Sequence, residues 1–230
     1  MTQLLLLPGL LNDTDLWRDQ IADLADLAEG LVPDLTQRDT LAALAQSVLA
    51  NAAPSFALAG FSFGGYVAQE ILRQAPQRVE RLALLNTAIR VDTPQRAMQR
   101  RALNKAAAAE GHFLGMTDRM LNTYIHPSRF EDQPLVSRIQ AMTERLGCEV
   151  FLRQNSVERQ DGEAVLRAFS GPKLVICGEH DVLTPPSSMA EIAEIAGVSL
   201  TLITGSGHMT PMERPEAVTA ALRSWLLTPA

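Results

Sequence analysis

The chain has 230 residues, about one and a half times the ~150 of a usual domain, which favours one large domain with an insertion over two independent ones. Hydrophobic residues make up 47% and charged residues 20%, the balance of a soluble globular chain, and this excludes disorder, collagen and low complexity. The net charge is −6, and no cluster of Lys and Arg is dense enough for a phosphate-binding face, so nucleic acid is not an expected partner.

In chain order, Gln3 to Leu7 reads as a first strand: short and apolar without alternation, as expected where helices cover both faces of a sheet. Trp17, Ile21, Leu24 and Ala28 fall on one helical face, and a weaker strand signal follows at Leu31-Val32. Leu41, Leu44, Ala45, Val48 and Leu49 predict the next helix, with Asp39 or Thr40 as its N-cap. A strand at Phe56 to Ala59 leads into a helix carrying Val67, Ile71, Leu72 and Ala75, and a further strand runs from Arg81 to Asn86. Strand patterning then stops. From about Arg90 to Asp161 the chain reads as helical, with starts at Thr93-Pro94, Thr117 and Gln133-Pro134. Strands return at Lys173 to Cys177 and Ser199 to Ile203, and Pro215 opens a last amphipathic helix with Val218, Ala221, Leu222, Trp225 and Leu226 on one face.

Alternation of this kind predicts an α/β fold in three layers, a mainly parallel sheet of about six strands flanked by helices. The core is expected over 1–89 and 162–230, with 90–161 inserted as a helical cap. The cap is rich in Met98, Met116, Met120, Met142, Phe113, Tyr124 and Phe151, so part of it should rest on the sheet edge or on a pocket, while most of these residues pack the cap helices together.

Cys148 and Cys177 supply no disulfide framework and no metal-like spacing, which suits a reducing, cytoplasmic setting. The Leu4–Leu7 run has no basic flank and meets Pro8-Gly9 too soon for a signal peptide, and no other run approaches the ~18 apolar residues of a membrane span. A monomer or small homo-oligomer acting on a small molecule, without metal or cofactor, is the expectation.

Chemistry concentrates in three loops. Gly60-Phe61-Ser62-Phe63-Gly64-Gly65 directly follows one predicted strand and precedes a helix; G-x-S-x-G in that setting is a nucleophile elbow, with glycines leaving room for neighbouring backbone. A Ser hydroxyl is a weak nucleophile at neutral pH, so it requires a base, and the base requires an orienting carboxylate. Both occur in the order this arrangement needs. The strand ending at Cys177 runs into Gly178-Glu179-His180-Asp181, and the next runs into Gly205-Ser206-Gly207-His208, each at a strand's C-terminal end. Asp181 is the preferred acid and Glu179, nearer the strand end, the second choice. Of the four histidines, His112 and His126 fall in the cap and His180 beside the acid, leaving His208 as the base. Backbone amides of Phe63, after the nucleophile, and of Leu10, in the Pro8-Gly9-Leu10 turn after the first strand, are candidate oxyanion donors.

Together these three loops resemble the α/β-hydrolase superfamily, and among its members the small-esterase, enol-lactonase and carbon–carbon-bond hydrolase group. The resemblance covers almost the whole chain in the expected order. It implies a fold with the cap inserted after the strand ending near Asn86. Members usually begin with two antiparallel strands before the first strand seen here, which starts almost at Met1, so a sheet shorter by about two strands at one edge is expected. Two loops depart from the pattern. Pro8-Gly9 stands where many relatives have His-Gly, and Asp34-Leu35-Thr36-Gln37-Arg38-Asp39 where they often read Asp-Leu-Arg-Gly-His-Gly.

The expected activity is a cofactor-free serine hydrolase of the carboxylesterase type, working through a Ser62 acyl-enzyme on a small or medium ester. Arg90, Arg96, Arg100 and Arg101 cluster where the cap begins and leave open a carboxylate-bearing substrate, cleaved by an enol-lactonase or carbon–carbon hydrolase, though a solvated helix face accounts for them more simply. A peptidase and a non-catalytic ligand receptor on the same fold are the remaining alternatives.

Overall fold

The computed structural model describes residues 1–109 and 115–229. His112 and Phe113 of the helical stretch lie outside the described residues. Six parallel strands form one sheet in the order β2-β1-β3-β4-β5-β6: β1 (Thr2–Leu7), β2 (Ala28–Leu31), β3 (Phe56–Phe61), β4 (Val79–Leu85), β5 (Lys173–Gly178) and β6 (Leu200–Ile203). Because every pair is parallel, all C-terminal strand ends lie along one edge. The loops after β1, β3, β5 and β6, which hold the chemistry-bearing residues, therefore meet there.

Strand composition follows from burial on both faces. Leu4 and Leu6 pack into one apolar cluster and Leu5 and Leu7 into the other, so alternate side chains enter opposite layers and the run has no polar alternation. On the face of Leu5 and Leu7 lie α2 (Leu41–Asn51), α3 (Phe63–Gln74), α7 (Glu163–Ala168) and α8 (Pro186–Ala196). Thr40 caps α2 by accepting from Ala43 N at 3.2 Å. On the other face lie α1 (Arg18–Asp23), the short α9 (Thr210–Glu213) and α10 (Pro215–Leu227), with Trp17, Leu24, Met212, Val218, Leu222 and Trp225 buried in that layer.

Ala28 does not continue the first helix, as its spacing from Trp17 and Leu24 predicted. α1 ends at Asp23 and Ala28 opens β2, paired with Thr2. Ala28 is buried in the same cluster as Leu24, so core-facing apolar positions kept a helical spacing across an element boundary.

Between β4 and β5 the chain is helical: α4 (Pro94–Ala109), α5 (Asp118–Tyr124) and α6 (Gln133–Ser156), the last broken at Gly147, whose φ is 75°. Met116, Leu121, Ile125, Leu135, Ile139 and Met142 join the cluster that holds α1 and α10, so this part of the stretch is packed onto the core and not perched above it. α4 is different: none of its residues is buried, and Met98 is 62% exposed instead of packing as the sequence suggested. Among the described residues no helix is long and apolar enough to cross a membrane.

Candidate active site

Ser62 sits at the junction of β3 and α3 with φ 50° and ψ −113°, a conformation that L-residues occupy only when their surroundings enforce it. The enforcement is visible. Ser62 N donates to Leu85 O at 2.9 Å and Ser62 O accepts from Thr87 Oγ1 at 2.7 Å. A Cβ on Gly64 would stand 2.4 Å from Leu7 O, and one on Gly60 would stand 2.6 Å from Gly64 O, so the turn closes only with glycine at both places.

His208 Nε2 lies 2.9 Å from Ser62 Oγ, and His208 Nδ1 lies 2.8 Å from Asp181 Oδ2. The acid and histidine are buried. Burial would push the Asp181 carboxyl up. The charge of His208 and hydrogen bonds from His208, Thr184 and Asn86 outweigh burial and hold it well below the usual carboxylate range. As an acceptor-only carboxylate, Asp181 requires the proton on Nδ1, which leaves Nε2 of the neutral ring to accept from Ser62 Oγ.

Asp181 is itself fixed on both oxygens. Oδ1 accepts from Leu183 N at 2.8 Å and Thr184 N at 3.0 Å; Oδ2 accepts from Thr184 Oγ1 at 2.5 Å and Asn86 Nδ2 at 2.8 Å. Asn86 Oδ1 in turn accepts from Thr210 Oγ1 at 2.7 Å, which links the ends of β4, β5 and β6 through one buried polar chain. The imidazole is held between Phe61 (centroids 5.1 Å) and Tyr124 (5.7 Å, edge-on), and His208 N donates to Tyr124 O at 2.8 Å. Buried Glu213 secures the same loop, accepting from Gly207 N at 2.9 Å and from His126 N at 2.7 Å; burial pushes its carboxyl up.

Leu10 and Phe63 both line a cavity of about 240 Å³ over Ser62 and His208. Phe63 opens α3, where the first amides have no acceptor within the helix. Leu10 lies in the turn after β1, whose shape is set by Leu11 at φ 55°, with Leu11 N donating to Gln154 Oε1 of α6 at 2.9 Å. Met120, Tyr124 and Phe151 of the helical stretch complete the apolar wall.

The other candidates lie elsewhere. Glu179 accepts from Gly205 N at 3.2 Å and does not reach His208. His126 and His180 face each other edge-on with ring centroids 4.4 Å apart, outside the Ser62 hydrogen-bond chain. Buried Cys177 is a poor thiolate, since burial, and then the Asp181 charge, push its thiol up to about 12. Arg90 is occupied by Asp161, Glu163 and Glu191 at the surface, whereas Arg96 and Arg100 line the cavity. Among the described residues no group of three His, Cys, Asp or Glu side chains is placed to hold a metal ion. Sequence reasoning passed over Asn86, Thr184, Thr210, Glu213 and Arg159. Asn86 alone carries a local signal, a polar residue ending an apolar strand at the edge where Ser62 stands.

A parallel α/β sheet with a strained serine after β3 and loops from β5 and β6 converging on it defines an α/β hydrolase, and a sequence model of the alpha/beta hydrolase family matches residues 4–221. The chain belongs to that family. It is 29% identical over 210 residues to a protein of Mycobacterium tuberculosis with the provisional name non-heme bromoperoxidase BpoC, spanning 85% of this chain and 75% of that protein. Among solved structures, a thermophilic esterase from Thermogutta terrifontis, with malate bound, superposes with a TM-score of 0.87 at 29% identity, covering 98% of this chain and 89% of the other. The enol-lactonase from Burkholderia xenovorans LB400 superposes at 0.85 with 23% identity, covering 99% and 92%, a likeness of fold.

Proposed function

We propose that the chain is a serine hydrolase cleaving small or medium carboxylic esters through a Ser62 acyl-enzyme. The observation that carries this reading is the Asp181–His208–Ser62 hydrogen-bond chain at 2.8 and 2.9 Å, opening into a cavity of about 240 Å³. His208 Nε2 takes the Ser62 hydroxyl proton as Oγ attacks the ester carbonyl, and Asp181 stabilises the imidazolium that forms. The amides of Leu10 and Phe63 donate to the oxyanion, helped by the partial positive charge at the start of α3. The imidazolium then protonates the departing alcohol, and His208 next deprotonates the water that frees the acid. The stretch 90–161 serves as the cap, supplying Tyr124 to the histidine loop and Met120 and Phe151 to the pocket wall. The esterase likeness at 29% identity supports an ester substrate.

Hydrolysis of p-nitrophenyl esters of increasing acyl length tests this reading. Short acyl chains should turn over best, and Ser62→Ala should lower kcat by on the order of 10⁴ to 10⁶ with the circular dichroism spectrum unchanged. Equal turnover by Ser62→Ala would remove the acyl-enzyme.

A further inference from the structure

Arg159 follows α6 and turns its guanidinium onto the residue after the nucleophile. Its Cζ lies 4.8 Å from the Phe63 ring centroid and 5.1 Å from that of Tyr66. Nη1 donates to Val157 O at 2.7 Å and Gln154 O at 3.4 Å, which fixes the head group, and among the described residues no carboxylate forms an ion pair with it. The nearest acid on the cavity wall is already taken, since Asp92 pairs with Arg100 at 2.5 Å and lies 3.9 Å from Arg96. The wall facing Ser62 therefore holds three guanidinium groups and one carboxylate.

Burial, then the charge of Arg100, pull Arg159 down to about 10, which still leaves it a cation at neutral pH. A half-buried cation with no carboxylate paired directly to it is unfavourable, and an anion bound beside it relieves that penalty. The unused edge of a planar guanidinium matches a carboxylate in two parallel hydrogen bonds. The cavity of about 240 Å³ over Ser62 has room for a short acyl chain beside the guanidinium.

Resting on the serine-hydrolase reading, we infer that Arg159 is a specificity-determining anion site and that the ester opened at Ser62 carries an ionised carboxylate at the far end of its acyl part, as in the half-ester of a short dicarboxylic acid. Ethyl hydrogen adipate and ethyl hexanoate differ in this carboxylate, and their hydrolysis by the full chain is followed in a pH-stat near neutral pH. Wild type should favour the half-ester by about 10- to 100-fold in kcat/KM, the range for one charge-assisted hydrogen-bonded pair. Arg159→Gln should bring that ratio close to one and Arg159→Lys should keep part of it, with melting curves verifying that both variants fold. A ratio near one in wild type, or one that both variants retain, overturns the inference.

Protection of Ser62 from a fluorophosphonate gives a second readout that needs neither turnover nor a variant. Adipate should slow labelling of wild type where 1,6-hexanediol does not, and equal effects of the two overturn the inference. If Ser62 takes the label and ethyl hexanoate is cleaved without preference for the half-ester, the anion site alone falls. If Ser62 neither labels nor turns over either ester, the serine-hydrolase reading falls and the anion site with it.

Discussion

α3 and α4 both border the cavity over Ser62, and they are built in opposite ways. α3 is buried without a break from Phe63 to Leu72, its first turn pressed so closely on β1 that only glycine fits at position 64. α4 has no buried residue; it packs against α6 and brings Arg96, Gln99, Arg100 and Leu103 to the cavity from the solvent side. The helix that follows Ser62 is enclosed from Phe63 to Leu72, whereas the facing helix is open to solvent along its length. Ser62 is thus tied to the tightly packed core, whereas α4 brings exposed side chains to the cavity rim.

Changes on the anchored side should have the largest effects. Asp181→Asn keeps the volume but not the charge that sets the histidine tautomer, and kcat should fall by about 10⁴. The same variant reports on stability. Because the Asp181 carboxyl is held below its ordinary range, its ionised form contributes stability above that range, and the contribution is lost as the pH falls through the depressed value. The stability difference between wild type and Asp181→Asn, from urea unfolding, should therefore widen from acidic to neutral pH; a difference that stays flat would contradict this origin.

Gly64→Ala should destabilise by ~1–3 kcal/mol or more, since its Cβ would meet Leu7 O at 2.4 Å. The smallest effect is expected at Met98 of α4, 62% exposed, where Ala should shift stability by less than ~0.5 kcal/mol. Equal destabilisation by Gly64→Ala and Met98→Ala would erase the contrast between the helices.

The anchored half was also the more legible. Ser62, Asp181 and His208 each follow a short apolar strand in a glycine-bearing loop, a pattern local in sequence, and the parallel sheet brings such loops to one edge. Residues that complete the site have no such pattern. Asn86 reaches Asp181 across 95 positions and Gln154 reaches Leu11 across 143, contacts created by strand order and by the docking of α6. Arg159 carries no marker in its own segment, because what distinguishes it is the pair of rings beneath its guanidinium, supplied by α3. The arginines that did stand out by clustering divide in the fold: Arg90 joins a surface ion network and Arg101 turns to an outer cavity. Ala28 shows the limit for element type, since a core-facing position can keep a helical spacing after the helix has stopped.

On the proposed reading Ser62 is a nucleophile activated by His208. Intact mass after brief exposure to a fluorophosphonate tests it most directly, with wild type, Ser62→Ala and His208→Gln treated side by side. One adduct on wild type, none on Ser62→Ala and labelling slowed by about 10² or more in His208→Gln is the predicted result. A wild-type chain that stays unlabelled, or a Ser62→Ala chain that gains the adduct at the wild-type rate, would contradict it.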